Sequence, residues 1–232
     1  MPIYENVNGT WTVVKHVWQC VQSGIWQKVK AVYKNVGGTW VQVHGDYSFT
    51  AYALGLEETL APISSSGLFV NGTQVYTANR SYNLLFFDKY GNVTFSREYD
   101  IFAEATGAAM VTPYGSAQFA SDVAGMANGQ LFALITFDEP QNGNTVNNIP
   151  AFTNAVFQLG ATAAIFQGSN FAYRGAYLLL GAKGQAAAFE AYQGTESNTA
   201  GTSGTETGCS DGVVEVKFGI VNGAFANITR VL

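Results

Sequence analysis

All four tryptophans of the chain, Trp11, Trp18, Trp26 and Trp40, stand within its first 40 residues, where they punctuate an internal repeat that the remainder lacks. The units run Tyr4-Glu5-Asn6-Val7-Asn8-Gly9-Thr10-Trp11, then Trp18-Gln19-Cys20-Val21-Gln22-Ser23-Gly24-Ile25-Trp26, then Tyr33-Lys34-Asn35-Val36-Gly37-Gly38-Thr39-Trp40. The period is 14 to 15 residues, and a valine follows each unit's last tryptophan by three (Val14, Val29, Val43). Asn-Gly, Ser-Gly and Gly-Gly between β-branched and aromatic runs supply the positive φ angles of tight hairpin turns. Valine, tryptophan and glycine at these positions disfavour helix, whereas alternation from Trp11 through Val13, Lys15 and Val17 gives one largely apolar strand face. Residues 1–45 are therefore expected to form a β-meander ribbon.

A ribbon of this length buries little by itself, since chains below roughly 40 residues usually need disulfides, metals or oligomerisation. It must lean on something. One reading has the tryptophans capping the core of the second part of the chain; the other makes Trp11, Trp18, Trp26 and Trp40 anchors that dock on another protein. Charge is split along the same line. Residues 1–45 carry four lysines against Glu5, a net of +3, and the rest carries seven basic and fifteen acidic residues, a net of −8.

At 232 residues the chain holds one ordinary domain plus an appendage. Charged residues make up only 12%, glycine reaches 26, and Asn, Thr, Ser and Gln carry most of the polarity, a profile of β-rich extracellular or virion proteins. The acidic balance is unlike the basic surface that a nucleic-acid binder requires. Met1-Pro2-Ile3-Tyr4-Glu5 shows no basic segment followed by an apolar one, so no signal peptide is expected. No run of 18 apolar residues marks a membrane span. Cys20 and Cys209 lie far apart, either as small buried hydrophobes or as one distant bridge.

From Asp46 the pattern alternates between strands and helices. Residues 82–87 are an apolar run of strand length, followed by a turn at Asp88–Asn92 and a second strand through Arg97. Ser116–Ala127 has Phe119, Val123 and Met126 at helical spacing and stops before Asn128-Gly129. Gln130–Phe137 reads as a buried strand, Pro150–Leu159 as a helix stopped by Gly160, and Ala163–Phe166 as a short strand. Strands are expected at Tyr177–Leu180 and Ala186–Tyr192 around the Gly181–Gly184 turn, and a closing hairpin at Val213–Val221 and Ala224–Val231. Between them, 194–212 is a Gly/Thr/Ser-rich, low-complexity loop, read either as an adhesive tip or as an inert linker.

The order Asn79-Arg80-Ser81-Tyr82-Asn83, then Tyr99-Asp100, Asp138-Glu139-Pro140, Leu159-Gly160-Ala161, Arg174-x-x-Tyr177 leading into Gly181-Ala182-Lys183-Gly184, and Phe189-Glu190 resembles the interleukin-like EMT inducer (ILEI) domain. The resemblance covers about residues 66–192. It implies an α+β fold, an ILEI-like sandwich of two β-sheets with flanking helices spanning 46–232, and a sugar-binding surface. Arg80, Asp100, Asp138, Glu139, Arg174, Lys183 and Glu190 are its motif positions. Ser81 stands where the family has glycine, Gly175 where it has an acidic residue, and the framework cysteines of the secreted animal members are missing; the last two departures count against the signalling activity of those members. The Trp-x-x-Val ribbon is similar to segments of tail-tip and fibre proteins of tailed bacteriophages. That resemblance implies a virion component made in the host cytoplasm without a signal peptide, oligomeric in the particle and partnered by other tail proteins. The alternative is a free carbohydrate-binding or secreted signalling module.

Chemistry is scarce. Both histidines, His16 and His44, lie in the ribbon, and the Gly-x-Ser-x-Gly, phosphate-loop and His-Glu-x-x-His patterns are absent. Asp138 and Glu139 are neighbours on a strand and point to opposite faces, so they do not flank one bond as a glycosidase pair would. No enzyme activity, cofactor or metal is expected, and Asp138, Arg80 and Arg174 are read as a salt-bridged frame for strand ends. For a glycan the expected contacts are Asn170, Phe171, Tyr173 and Tyr192, because aromatic faces beside amides suit sugar rings. Phe171 and Tyr173 read equally as ordinary core residues.

Overall fold

The computed structural model describes residues 4–7, 10–13, 18–22, 25–28, 31–36, 39–45, 48–55, 66–138, 148–168, 175–194, 212–221 and 223–232. The chain divides into two units, Met1–Tyr47 and Ser48–Leu232, against a sequence-expected boundary after residue 45.

The described residues of the first unit form three antiparallel hairpins. β1 (Tyr4–Val7) pairs with β2 (Thr10–Val13), β3 (Trp18–Gln22) with β4 (Ile25–Lys28), and β5 (Ala31–Val36) with β6 (Thr39–Gly45). The innermost partners are Val7 with Thr10, Gln22 with Ile25 and Val36 with Thr39, so each connection is the two-residue pair that the Asn-Gly, Ser-Gly and Gly-Gly signals predict. The continuous meander is corrected to three separate two-stranded sheets among the described residues. A physical reason lies in the links between hairpins: Val14-Lys15-His16-Val17 and Val29-Lys30 contain no glycine, asparagine or proline to reverse the chain tightly.

The second unit is mainly β with a few helices, built on one mixed ten-stranded sheet. β7 (Phe49–Gly55), β8 (Gly67–Val70) and β9 (Thr73–Thr77) form one wing with β15 (Val213–Val221) and β16 (Ala224–Arg230), in the order β9-β8-β7-β15-β16. β10 (Ser81–Phe87), β11 (Val93–Tyr99), β12 (Leu131–Asp138), β13 (Ala176–Ala182) and β14 (Phe189–Gln193) form the other, in the order β11-β10-β12-β13-β14. The wings join where Phe137 and Asp138 of β12 pair, parallel, with Leu54 and Gly55 of β7. Phe87 of β10 packs edge-on against Phe49, Phe218 and Phe225, so the wings turn to face one another. That is why β10 and β12 read as unbroken apolar runs: both of their faces are covered.

The outer face of the β10–β12–β13 wing carries Tyr82, Leu84, Phe132, Leu134, Tyr177 and Leu179, and helices close over it. α2 (Ser116–Gly125) contributes Phe119 and Val123, and α3 (Pro150–Gln158) contributes Phe152, Ala155 and Val156. Phe152 sits at the centre, 4.6 Å from the Tyr82 ring and 4.9 Å from Phe119. Proline at the first helical position starts α3, and Gly160, at φ +91°, ends it. There a Cβ would fall 2.6 Å from the Gln185 carbonyl oxygen, so only glycine fits.

Two local expectations are corrected. Ala163–Phe166, expected as a strand, is a single helical turn, α4: alanine favours helix, and the turn delivers Phe166 onto Phe152, Phe157 and Tyr177. The strand expected from Ala186 begins only at Phe189, because the turn at Lys183-Gly184 continues through Gln185, whose N–H reaches the Ala182 carbonyl. A short helix, α1 (Ile101–Thr106), follows Asp100, whose carboxylate accepts the Ala103 N–H as an N-cap. β8 and β9 were also not anticipated, although their Asn71-Gly72 connection, with φ +50° and +81°, is the same hairpin signal that marks the ribbon. The loop read over 194–212 lies, from 195 to 211, outside the described residues; its flanks are clasped by the Gly212 N–H bonding the Gly194 carbonyl at 2.8 Å.

Candidate functional site

In the ribbon, register alone sorts residues by face, since cross-strand partners share a face and faces alternate along a strand. Asn6 pairs with Trp11 and Tyr4 with Val13, which puts Tyr4 and Trp11 on one face. Trp18 pairs with Lys28 and Cys20 with Trp26, which puts Trp18 and Trp26 together. Tyr33 pairs with Gln42 and Asn35 with Trp40, which unites Tyr33 and Trp40. Every hairpin thus places one aromatic of its first strand diagonally from the tryptophan of its second.

In the second unit, four motif positions form a structural frame. Asp100, fully buried, accepts from Arg80 at two points, Nε at 3.2 Å and Nη2 at 2.6 Å, and also from the Ala103 and Val111 N–H groups. Arg80 further donates to the Ala109 carbonyl and lies 5.3 Å over the Phe102 ring. Lys183, from the β13–β14 turn, donates to the carbonyls of Val123, Ala124 and Met126 and caps the C-terminus of α2. Glu190 accepts from the Tyr177 hydroxyl at 2.8 Å and from the Thr162 N–H at 2.9 Å, which anchors the start of α4. Asp138 ends β12 at the joint between the wings, with φ +67°. Arg174 and Glu139 lie outside the described residues; of the frame expected for Arg80, Asp138 and Arg174, the described residues show Arg80 bound to Asp100.

Of the residues expected to meet a glycan, Asn170, Phe171 and Tyr173 also lie outside the described residues. Tyr192 is half-buried on β14 opposite Tyr177, and its ring fills the space beside Gly175, where a Cβ would come within 2.5 Å of it. A side chain at position 175 would have to displace that ring.

A recess among the described residues lies elsewhere. An open cleft of about 390 Å³ runs along β11, lined by Tyr76, Ser96, Arg97, Glu98, Thr112 and Tyr114. Arg97 is its hub. The guanidinium lies 4.6 Å over the Tyr114 ring and 5.1 Å over Phe95, and its Nη1 donates to both oxygens of Asp122 at 2.6 and 2.8 Å. Tyr99 and Gln118 also donate to Asp122. Burial works to lower the Arg97 pKa, and the bond to Asp122 and its charge overcome that, so the cation is held more firmly than usual. Tyr76 is kept protonated, first by burial and then by the charge of Glu98, and its hydroxyl donates to Asn83. Glu98 accepts from Asn79 at 2.6 Å.

The sequence reading missed this cleft. Ser96, Arg97 and Glu98 looked like an ordinary strand, and Tyr114 follows a stretch from Gly107 to Pro113 with no periodicity. The usable signal was that stretch itself, apolar yet neither helical nor strand-like, in which Met110 and Val111 prove exposed, as does Tyr114 after it. Among the described residues no group of three or more His, Cys, Asp or Glu side chains is placed to hold a metal ion, and no helix is long and apolar enough to cross a membrane. Comparison with protein-family models and with curated protein sequences returns no match to this chain.

Proposed function

We propose that the chain is a structural component of a bacteriophage tail, in a tip, baseplate or fibre, held in the particle by the ribbon of residues 1–45. The observation that carries this reading is the threefold recurrence of one aromatic face. Tyr4 with Trp11, Trp18 with Trp26 and Tyr33 with Trp40 occupy equivalent register positions in three hairpins that do not pair with one another among the described residues. An isolated two-stranded hairpin is marginally stable in water, and buried aromatics are the usual anchors of protein interfaces. The ribbon's positive charge beside an otherwise acidic chain fits a partner surface rimmed with carboxylates.

The second unit is, in this reading, an ILEI-like sandwich of two sheets with flanking helices, displayed on the particle and touching host-surface glycan. Two details support the resemblance. Ser81, in the place of the family's glycine, holds φ +76°, a conformation glycine adopts freely. The motif residues Arg80, Asp100, Lys183 and Glu190 all brace element ends. The same bracing favours a non-enzymatic role, because the carboxylates of Asp100 and Glu190 are committed to structural donors. A free carbohydrate-binding or secreted module, the competing reading, leaves the ribbon without a task.

Deleting residues 1–45 tests the proposal. The remainder is expected to stay folded by circular dichroism and to disappear from purified particles, as read by mass spectrometry. Normal incorporation of the truncated chain overturns the reading.

A further inference from the structure

We infer that the cleft along β11 is a binding site for a neutral pyranose, a role carried by the chemistry of its walls. The inference names a place and a ligand class for the glycan contact proposed above, and it rests on that reading only for where the sugar comes from.

The walls are braced by hydrogen bonds before any ligand arrives. The Asp100 N–H bonds the Tyr114 carbonyl at 2.9 Å, the Val111 N–H bonds Asp100 at 2.8 Å, and Arg80 holds the Ala109 carbonyl at 2.7 Å. Glu104 accepts from both the N–H and the hydroxyl of Ser116, closing the far end of the loop. Pre-organisation of this kind removes the ordering cost that weakens binding to loops.

The polar groups lining the cleft suit a polyol. Nε and Nη2 of Arg97, Oε2 of Glu98 and the hydroxyls of Ser96, Thr112 and Tyr114 have no bonding partner among the described residues. They present donors and acceptors side by side, as vicinal hydroxyls require. Tyr114 covers Arg97 with its ring and is still 36% exposed, leaving aromatic surface for the apolar C–H face of a sugar. The volume falls at the small end of the range of about 300–1,000 Å³ typical of ligand pockets.

Charge selects a neutral sugar. Arg97 is already matched by Asp122, and Glu98 adds a carboxylate, so the cleft has a negative surplus that repels uronates and phosphates. A hydroxyl pair instead donates to Glu98 and accepts from Arg97.

The test is saturation-transfer difference NMR on the full chain with methyl β-glucopyranoside, methyl β-galactopyranoside and N-acetylglucosamine, each compared with glucuronate. At least one neutral sugar is expected to bind about tenfold or more tighter than glucuronate. Tyr114→Ala should weaken that binding about tenfold, Tyr114→Phe should retain most of it, and Thr112→Val should weaken it several-fold. Thermal unfolding of each variant separates lost binding from lost folding; should Tyr114→Ala unfold, Thr112→Val and Glu98→Gln decide. No binding of any neutral sugar, glucuronate binding at least as tightly, or indifference to these substitutions overturns the inference. Because the assay never uses particles, such a result leaves attachment by the ribbon standing, just as failed incorporation leaves the cleft standing.

Discussion

At the scale of single residues, Asp100 organises more of the second unit than any other polar group described. It is fully buried, bridges to Arg80, caps α1 and holds Val111, so one carboxylate ties the end of β11, a helix start and the cleft's outer loop together. Asp100→Ala removes the carboxylate that faces the Arg80 guanidinium, itself only 21% exposed. Removing one partner of a buried pair typically destabilises by about 3–5 kcal/mol. The expected result is a loss of that order in urea unfolding followed by circular dichroism, with faster amide exchange at Val111. Unchanged exchange there would show that the loop holds itself. Asp100 was legible in the sequence as a motif position, but its three simultaneous tasks were not, because Val111 and Arg80 reach it only through the fold.

At the scale of elements, α2 shows how a helix can be specified locally at one end and remotely at the other. Phe119, Val123 and Met126 announce its buried stripe in sequence, and all three are buried. Its last turn carries no basic residue, and Gly125 precedes a switch to extended backbone at Met126. The terminal carbonyls are satisfied instead by Lys183, some 60 positions away. Lys183→Met should therefore lower stability by about 1.5–3 kcal/mol, the range for hydrogen bonds to charged groups, and preferentially release amide protons of residues 120–126. Thermal unfolding and hydrogen exchange check both parts; a uniform change in exchange would place Lys183 outside the cap. α4 makes the complementary point. Four residues, Ala163 to Phe166, have no periodicity to read, and their helical turn follows from where Phe166 must reach.

At the scale of the whole molecule, the second unit is built around phenols held protonated. Burial is the first cause that raises the pKa of Tyr52, Tyr76, Tyr82, Tyr99 and Tyr177, with nearby carboxylates adding to it for Tyr52, Tyr76, Tyr99 and Tyr177. Tyr52, which bonds Glu215, is pushed up to about 12 from an ordinary value of 10.0, and the others go higher or well above their usual range. A folded pKa above the unfolded one contributes stability that is complete below pH 10 and is lost as pH rises through the folded value. Denaturant midpoints by circular dichroism should accordingly hold steady up to about pH 10 and fall between about 10 and 12, with these tyrosines ionising, by ultraviolet absorbance, only as the unit unfolds. All four tryptophans belong to the first unit, so tryptophan fluorescence supplies a probe located in the ribbon beside the circular dichroism signal.

What the sequence determined by itself was whatever is decided within a few residues: two-residue connections at Asn8-Gly9, Ser23-Gly24 and Gly37-Gly38, the strand runs of β10, β12 and β15, the helices α2 and α3, and the glycine stop at Gly160. Turn chemistry and the 2.0 and 3.6 periods act locally, so they leave a readable trace. Tertiary structure alone decided which segments meet. Residues 76, 96–98 and 112–114 become one cleft because β11 pairs with β10 and because Asp100 fastens the following loop alongside it. The repeat likewise announced hairpins, but only the pairing shows that, among the described residues, the three do not pair with one another and that register places two aromatics of each on one face. Edge contacts of that kind depend on closing long loops, a free energy that no local pattern of side chains records.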